Sequence, residues 1–538
     1  MNTQTPARNA VPESALPVPS SERRVTWATG VLILIILAGA FLRAHEFGTV
    51  HSWFDESLGW RMSQFSPSEI VARSERNVHP PFHFLLLSGW RALFGGSLLA
   101  LRTYSVFWGL GTIVGGYLVA RTALTRPGMD EAARSRSEFA GLVAATLIAC
   151  SALHISWSQQ IKMYELGTCL TLWSTWCLLS WFQEERFRWL VAYVPLAAGL
   201  ALQHHYGTFT VFAQLTFALM WSARRAFSGG WSKHFLPVLL ASWATTSLWT
   251  LWLPSFLIQR NLVKDSYWIG KFQWSHVVNV WNELFLTETA IPRSELLTWG
   301  IAELVLLCVL FLLAQRLPGV RLVGWLVLVP YAMAVAWSVS DANVLIARFL
   351  IYAHVCLLTG IGILSASLPF RALRWGVACV LIAGVAFTAW EQRQFRTRQA
   401  SRPGMPVAIS TLRDTKAEQD LILVCNPMLY LNVCAHQDGL TNVYSYDPGQ
   451  GFPHFQGTPV MKDEEYFTIA DLQRFAGGWV WTLDAENWLG GIWKVHLPAE
   501  WKLEQELRIP EWYGTLVIRS YHRDAVPSGS SSQMASER

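Results

Sequence analysis

The chain has 538 residues, of which 52% are hydrophobic and 15% are charged, and its mean hydropathy is +0.28. This composition is too apolar for a soluble protein of that length and predicts a polytopic membrane protein. The net charge of +5 is small and falls mainly in short loops, so it reports orientation in the bilayer and argues against a nucleic-acid partner.

The chain begins with a segment rich in Pro, Ser and Ala, residues 1–24, which predicts a disordered cytoplasmic N-terminus. The apolar run after it is longer than the core of a signal peptide and predicts a retained anchor. A membrane-spanning helix needs about 20 apolar residues. On this basis the transmembrane domain, residues 25–390, is predicted to contain eleven spans: 25–43, 98–121, 139–157, 166–183, 188–203, 206–222, 235–257, 294–314, 321–338, 349–367 and 373–390.

Between the first two spans, the apolar stretch 82–94 is short and carries His83, Ser88 and Arg91. It therefore predicts a helix that lies in the membrane interface rather than a span. With this stretch left out of the count, the Arg-rich short loops fall on the side of Arg23 and Arg24, which the positive-inside rule assigns to the cytoplasm. The C-terminus is then predicted to lie outside the cytoplasm.

From about residue 391 the apolar spans stop. Short strand-like runs (DLILVC, GWVWTLD, GTLVIRSY) alternate with helix-like runs (PMLYLNVCAH, TIADLQRFAG), which predicts a small extracytoplasmic α/β domain over residues 391–523. Residues 524–538 predict a disordered tail. Cys425 and Cys434 lie in this domain, where the compartment allows a disulfide, and the sequence leaves open whether they pair.

The first outer loop carries an acidic pair, Asp55 and Glu56, within TVHSWFDESLGW. A carboxylate pair at the membrane edge costs desolvation energy, so it is a candidate functional site. A partly desolvated carboxylate can act as a general base on an acceptor hydroxyl or amine. The alternative is a solvated loop acid, but the flanking Trp53, Phe54 and Trp60 favour a partly buried site.

Cationic residues occur in other outer loops. Lys162, with Tyr164 in SQQIKMYE, and Arg348 at the outer end of the tenth span suit a phosphate, which Lys meets as a point charge and Arg can hold bidentately. The alternative for each is a side chain that snorkels to the interface.

Histidines and tyrosines of the outer loops are further candidates. His204, His205 and Tyr206 end an apolar run, but adjacent side chains on a helix diverge and no third ligand follows at helical spacing, so a metal site is not favoured. His79 precedes two prolines and is predicted to be a turn-forming or interfacial residue, with substrate contact as the alternative.

Five segments together carry a family resemblance: WFDES, HPPFHFLLLSGWRALFGGSLLALRTYS, SWSQQIKMYEL, LQHHYGTFTVFAQ and ARFLIYA. Over roughly residues 25–390 the chain resembles the GT-C superfamily of membrane glycosyltransferases. The nearest branch is the family 39-like group related to protein O-mannosyltransferases and the lipid A aminoarabinose transferase. The resemblance implies an α-helical polytopic GT-C fold, a polyprenyl monophosphate sugar as donor, and a lipid, glycan or protein as acceptor.

The resemblance also implies roles for individual residues. Asp55 would be the catalytic base with Glu56 beside it in the site, and Lys162 and Arg348 would hold the donor phosphate. Further candidates are His205 and Tyr164 at the phosphate and His79, His204, Tyr206 and Arg102 elsewhere in the substrate site. The chain departs from many relatives in having Lys162-Met163-Tyr164 where Arg-x-Tyr is common, which loses the bidentate fork, and Arg348-Phe349 where Arg-Tyr is common.

The sequence therefore predicts an inverting glycosyl transfer at the outer face of a bacterial inner membrane. No cofactor is expected, because fixed cations can neutralise a leaving monophosphate, and a divalent metal is not favoured. One alternative is a transporter or flippase for a polyprenyl lipid or polysaccharide, although such proteins usually place charges near the midplane and show paired halves. The other is a non-catalytic protein that binds lipid-linked sugar.

Overall fold

The structure is a computed structural model that describes residues 27–49, 52–265, 269–436, 439–488, 491–512 and 514–523. The predicted disordered termini, residues 1–24 and 524–538, lie outside these ranges.

A helical part comes first in the chain, and a smaller α/β domain follows it. The helical part contains α1 (Trp27–Ala44), α2 (Phe54–Met62), α3 (Pro67–Glu75), α4 (Phe82–Phe94), α5 (Leu98–Leu124), α6 (Glu131–Cys150), α7 (Ala152–Ser158), α8 (Tyr164–Glu184), α9 (Arg188–Gln203), α10 (His205–Gly229), α11 (Trp231–His234), α12 (Leu236–Thr250), α13 (Leu253–Asp265), α14 (Ser275–Leu286), α15 (Glu295–Ala314), α16 (Pro318–Ser340), α17 (Ile351–Ser367) and α18 (Arg371–Ala400).

Each of the eleven predicted spans overlaps one of these helices. Among the described residues, five helices are long and apolar enough to cross a membrane, and two pairs bent by 60° and 52° bring the number to seven. The predicted helical membrane fold is therefore confirmed, while the count of eleven remains a prediction. The stretch predicted to lie in the interface forms the 13-residue helix α4. Helix α18 continues past residue 390 to Ala400, so it crosses the predicted domain boundary without a break.

Small residues allow the central helices to approach closely. A methyl group added at Gly116 would lie 2.3 Å from Ile148 Cδ1, and one at Gly362 would lie 2.7 Å from Ala140 O. Such contacts between α5, α6 and α17 are typical of helix packing in membranes, where van der Waals contact replaces the hydrophobic effect as the driving force.

A buried arginine stabilises the bend between α6 and α7. The fully buried Arg43 donates to Ala149 O at 3.0 Å and to Ile148 O at 3.1 Å, and its Nε donates to Ser158 Oγ at 3.0 Å. The last carbonyls of a helix have no partner within the helix and attract a cation. Arg43 therefore fixes the point at which the chain turns toward the loop of Lys162.

The C-terminal domain contains α19 (Gly404–Thr415), β1 (Leu421–Val424), α20 (Pro427–His436), β2 (Val443–Asp447), β3 (Tyr466–Thr468), α21 (Ile469–Arg474), β4 (Trp479–Trp488), β5 (Gly491–Trp493), β6 (Lys502–Glu511) and β7 (Gly514–His522). The sheet order is β3-β2-β1-β4-β7-β6, and β5 pairs with β4. Strands β1 to β4 are parallel, whereas β7 is antiparallel to both β4 and β6. Its strand content confirms the predicted α/β character. Cys425 and Cys434 are both free thiols.

The C-terminal domain packs against the helices of the first outer loop, on the same side of the bundle as Asp55. Asn432 Oδ1 accepts from Ser52 Oγ at 2.6 Å and from Ser57 Oγ at 3.1 Å. Arg73 Nη1 donates to Pro459 O at 2.9 Å. Residues of α2, α3 and α4 share one apolar core with the domain, so the two parts form a continuous structure around the first loop.

Candidate active site

A cavity of about 1650 Å³ lies between the helical part and the C-terminal domain. Eight of the ten predicted site residues line it: Asp55, His79, Lys162, Tyr164, His204, His205, Tyr206 and Arg348. These residues come from five separate segments of the chain. The fold therefore brings most of the predicted site together, while the role of each residue remains a prediction.

Asp55 lies in the first turn of α2, which follows the extended backbone of Trp53. Its Oδ2 is 3.1 Å from Lys162 Nζ and 3.8 Å from Arg348 Nη1. The Asp55 side chain is 22% exposed, so it is accessible from the cavity. The Asp55 carboxylate thus lies at a helix N-terminus and next to two cations.

Glu56 points away from the cavity. Arg102 grips its two oxygens at 2.9 and 2.8 Å, and the backbone N–H of Ile161 donates to Oε1 at 3.1 Å. Glu56 and Arg102 are both buried, and neither lines the cavity. The pair joins α2 to α5 and to the loop before α8, so it positions Asp55 and Lys162 from behind.

The loop between α7 and α8 places Lys162 in the cavity. Ser105 Oγ donates to Gln160 O at 2.6 Å, and Trp53 Nε1 donates to Gln160 Oε1 at 2.9 Å. Burial lowers the pKa of Lys162, and the neighbouring carboxylate of Asp55 opposes that effect. The Asp55 carboxylate therefore favours the ammonium form of Lys162.

The histidines form a neutral surface next to these charges. The rings of His79 and His204 are 5.1 Å apart, and burial lowers the pKa of both well below the ordinary value. His205 Nε2 lies 2.9 Å from Gln259 Oε1, an amide on α13 whose Nε2 donates to Ser74 O. His79 Nδ1 and His205 Nδ1 are buried and have no hydrogen-bond partner among the described residues. Buried polar atoms of this kind call for a partner, and both lie on residues that line the cavity.

Arg348 and Tyr206 are fixed from the opposite side. The hydroxyl of Tyr206 donates to Val344 O, and its ring packs on Phe349 with 4.8 Å between ring centroids. The guanidinium of Arg348 lies 5.6 Å from the centroid of the Phe349 ring. Phe349 therefore provides an aromatic ring for both side chains without a hydroxyl.

Asp55, Lys162 and Arg348 form a charged cluster at one end of the cavity. From this cluster the cavity extends into a groove between α10, α12 and α16. This part is lined mainly by apolar and aromatic side chains: Phe209, Phe212, Leu215, Trp249, Met333, Trp337 and Val339. A charged end joined to an apolar groove suits an amphiphile with an anionic head. Within the described residues, no group of three or more His, Cys, Asp or Glu side chains could hold a metal ion. That the protein works without a metal remains a prediction.

Sequence reasoning missed a second charged pair at the cavity. Glu288 lines it in the left-handed backbone region, with φ of 52°. Its Oε2 accepts from Arg396 Nε at 2.6 Å, and Arg396 Nη1 also donates to Gln159 Oε1 at 2.6 Å. Glu288 lies between the predicted spans 235–257 and 294–314. Its only further signal was a carboxylate between two apolar spans, and the partner Arg396 lies 108 residues away.

Comparisons with known proteins agree with this fold. Residues 78–252 match the family model described as dolichyl-phosphate-mannose-protein mannosyltransferase. The chain resembles the crystal structure of ArnT from Cupriavidus metallidurans bound to undecaprenyl phosphate, with a TM-score of 0.54 and 12% identity over 93% of this chain and 99% of that chain. For the apo state of the same ArnT, the TM-score is 0.56 and the identity is 11% over 92% and 98%. No curated protein sequence matches the chain significantly. These likenesses confirm the GT-C fold and the predicted resemblance to O-mannosyltransferases.

Proposed function

We propose that the chain transfers a sugar from a polyprenyl monophosphate donor to an acceptor hydroxyl or amine, with Asp55 as the general base. One observation carries the proposal: the Asp55 carboxylate lies beside two cations where the cavity enters an apolar groove between helices. The family match and the undecaprenyl phosphate bound by ArnT support an isoprenoid monophosphate as the common ligand class.

The donor phosphate would bind where Asp55 now meets its cations. Lys162 and Arg348 both contact Asp55 Oδ2, so a phosphate that enters the cluster competes with that oxygen for the same positive charges. Binding of the phosphate therefore releases the Asp55 carboxylate toward the acceptor. The lipid chain would occupy the apolar groove between α10, α12 and α16.

The reaction is then a single displacement. Asp55 takes the proton from the acceptor, the acceptor oxygen or nitrogen bonds to the anomeric carbon, and the bond from that carbon to the phosphate oxygen breaks on the opposite face. The electron pair of the broken bond remains on the lipid phosphate, which Lys162 and Arg348 stabilise. Glu56 acts as a positioning residue, because both of its oxygens are held by Arg102 and the Ile161 N–H.

The decisive variant is Asp55→Asn in the full-length protein, reconstituted in lipid nanodiscs with labelled undecaprenyl phosphate sugars and envelope extract as the acceptor source. It keeps the size of the side chain but removes the proton acceptor, so turnover should fall by roughly 10²–10⁴-fold, the usual share of general-base catalysis. Binding of undecaprenyl phosphate should persist, since the cations remain and a competing carboxylate is gone.

Asp341→Asn is the matched comparison, because Asp341 lines the same cavity but pairs with Arg260. It should cost far less than Asp55→Asn. Near-parental turnover of Asp55→Asn would overturn the assignment of the base. Donor binding by the parental protein without any turnover would instead indicate a binding protein.

A further inference from the structure

The C-terminal domain contributes to the cavity that holds Asp55. Four of its residues are among those that line it: Met428, His454, Phe455 and Trp493. None of them belongs to the charged cluster or to the apolar groove between the helices. They form a third part of the cavity surface, called here the domain surface.

The topology of the sheet explains why these residues meet. Met428 follows β1, the segment of His454 and Phe455 follows β2, and β1 and β2 are parallel. Trp493 pairs with Ala485 of β4, beyond Leu483, where the pairing of β4 with β1 ends. The domain surface thus lies at the carboxyl ends of parallel strands. Chain order also reverses at β1, because β2 lies on one side of it and β4 on the other. Ligands of open α/β sheets bind at such switch points.

The domain surface is held rigidly next to the proposed base. Gly457, two residues after Phe455, has φ of +89°, and a methyl group there would lie 3.1 Å from Phe54 Cε2. Phe54 is the neighbour of Asp55 in α2. This close approach, together with the hydrogen bonds of Asn432 to Ser52 and Ser57, fixes the segment against the helix that carries the base.

Charge is divided between the parts of the cavity. Among the described residues, the lysines and arginines that line it come from the helical part: Lys162, Arg260, Lys271 and Arg348. The domain surface has two aromatic rings, a thioether and an imidazole, and burial lowers the pKa of His454, which keeps this ring neutral. Such a surface suits a ligand without charge that offers C–H groups to a ring and hydroxyl groups to an imidazole.

We propose that the domain surface is the acceptor subsite and that it binds an uncharged saccharide, one ring of which stacks on Trp493 or Phe455 while a hydroxyl group reaches Asp55. This inference rests on the proposed glycosyl transfer and specifies its acceptor class. A phosphorylated acceptor would find no cation among the four residues of the domain surface, and a bare peptide would make little use of its two aromatic rings, which are partly buried.

Photocrosslinking tests the occupant directly. The full-length protein with Trp493→p-benzoylphenylalanine is irradiated in native membranes, and the captured molecule is analysed by mass. Trp479→p-benzoylphenylalanine is the matched control, because Trp479 is an exposed tryptophan of the same sheet outside the cavity. Capture of a neutral glycan or glycolipid at residue 493 alone supports the proposal. Capture of peptide, of polyprenol alone or of nothing at residue 493 overturns it.

Kinetics separate this inference from the proposed function. Octyl glycosides of glucose, mannose and galactose serve as neutral acceptors, with a serine-containing peptide as the comparison. Trp493→Ala should raise the KM for the glycoside about 3- to 10-fold, the loss expected for one stacking contact, and Trp493→Phe should restore most of it. Binding of undecaprenyl phosphate should not change in either variant.

Transfer of sugar to the peptide but to none of the glycosides would contradict the proposed saccharide subsite, while the proposed glycosyl transfer would still stand. An unchanged KM in Trp493→Ala would do the same. Absence of donor binding and turnover in the parental protein would contradict the proposed function itself, so the two failures are distinguishable.

Discussion

At the scale of single residues, the site is organised around shared charges. Asp55 pairs with two cations, Lys162 and Arg348, and in the proposed function these contacts exchange for contacts with the donor phosphate when the donor binds. Glu56, its neighbour, takes no part in this exchange, because Arg102 and a backbone N–H hold both of its oxygens. We therefore expect the two adjacent carboxylates to have different roles, and this difference can be tested.

The charge of Lys162 gives a pH-dependent prediction. Burial lowers the pKa of Lys162 and Asp55 raises it, so Asp55→Asn should lower this pKa further. Phosphate binding requires the ammonium form, and it is lost as the pH rises through the pKa of Lys162. In Asp55→Asn, the alkaline loss of undecaprenyl phosphate binding should therefore begin at lower pH than in the parental protein. A titration of binding affinity in nanodiscs measures this shift.

Two further variants make that titration decisive. Lys162→Ala should lose this alkaline step and bind more weakly at neutral pH, by about 1.5–3 kcal/mol for one charge-assisted contact. Asp341→Asn should keep the parental profile, because Asp341 pairs with Arg260, whereas Lys162 pairs with Asp55. The same alkaline midpoint in the parental protein and Asp55→Asn would contradict the proposed coupling.

The buried pair of Glu56 and Arg102 predicts a loss of stability rather than a purely chemical defect. Removing one partner of a buried ion pair typically costs about 3–5 kcal/mol, so Glu56→Gln should lower the thermal unfolding temperature in detergent. Asp55→Asn should lower that temperature less than Glu56→Gln, because Asp55 is partly exposed. Glu464→Gln is the control, because Glu464 is exposed. A fully stable but inactive Glu56→Gln protein would contradict the positioning role and indicate that Glu56 takes part in the reaction itself.

At the scale of elements, the break between α9 and α10 positions the histidines. His204 lies between the two helices with φ of −161°, and Gly207 follows in the first turn of α10. A methyl group on Gly207 would lie 1.9 Å from the carbonyl oxygen of Leu200. Gly207→Ala should therefore push the two helices apart, lower the unfolding temperature and weaken donor binding.

Gly300→Ala is the matched control, because Gly300 lies within helix α15 and a methyl group there would meet nothing within 4 Å. The added helix propensity of alanine should leave this variant at least as stable as the parental protein. Equal stability and donor affinity in Gly207→Ala and Gly300→Ala would show that the close approach has no role in forming the site.

The elements that the sequence could predict are those whose signal is local. Apolar length alone located helices as short as α4, and the strand-like run GTLVIRSY became β7. Strand β6 was missed because its sequence KLEQELRIPE is mostly exposed and charged, so no buried face marks it. Helix α18 continues beyond the last apolar turn because its polar residues are good helix formers.

The residues that line the cavity could likewise be predicted only where their signal is local in the sequence. Asp55, Lys162 and Arg348 were predicted as site residues because a charge at the end of an apolar run is conspicuous, and all three line the cavity. The ion pairs of Arg102 with Glu56 and of Arg396 with Glu288 join residues that are 46 and 108 positions apart in the sequence. Trp493 reaches the cavity only through the pairing of β5 with β4 and the docking of the domain. No local pattern contains that information.

At the scale of the whole molecule, the domain and the first loop act as one unit. The ion pair of Arg61 with Glu465 and the contacts of Arg73 with Pro459 and Met461 tie α2 and α3 to the domain. The domain therefore lies on the same side of the membrane as Asp55. An experiment that shows on which side of the membrane the domain lies therefore also shows on which side Asp55 lies.

This coupling allows orientation to be tested at two positions at once. The positive-inside pattern predicts that the shared side is extracytoplasmic. Alkaline phosphatase fused after Arg523 should then be active, and green fluorescent protein at the same position should not fluoresce. Fusions after Arg126, in the loop between α5 and α6, should give the opposite result, because that loop is predicted to be cytoplasmic.

Cysteine labelling tests the orientation independently of the fusions. The variant carries one cysteine, at position 464, and its eight native cysteines are replaced by alanine or serine. Glu464→Cys should react with a membrane-impermeant maleimide in intact cells, because residue 464 is exposed on the domain beside the loop of Asp55. Labelling only after lysis, together with fluorescence of the fusion after Arg523, would place both the domain and Asp55 in the cytoplasm. Either the whole orientation would then be inverted, with the N-terminus outside the cytoplasm, or the span count would be wrong by an odd number. In both cases the acceptor would have to be a cytoplasmic molecule.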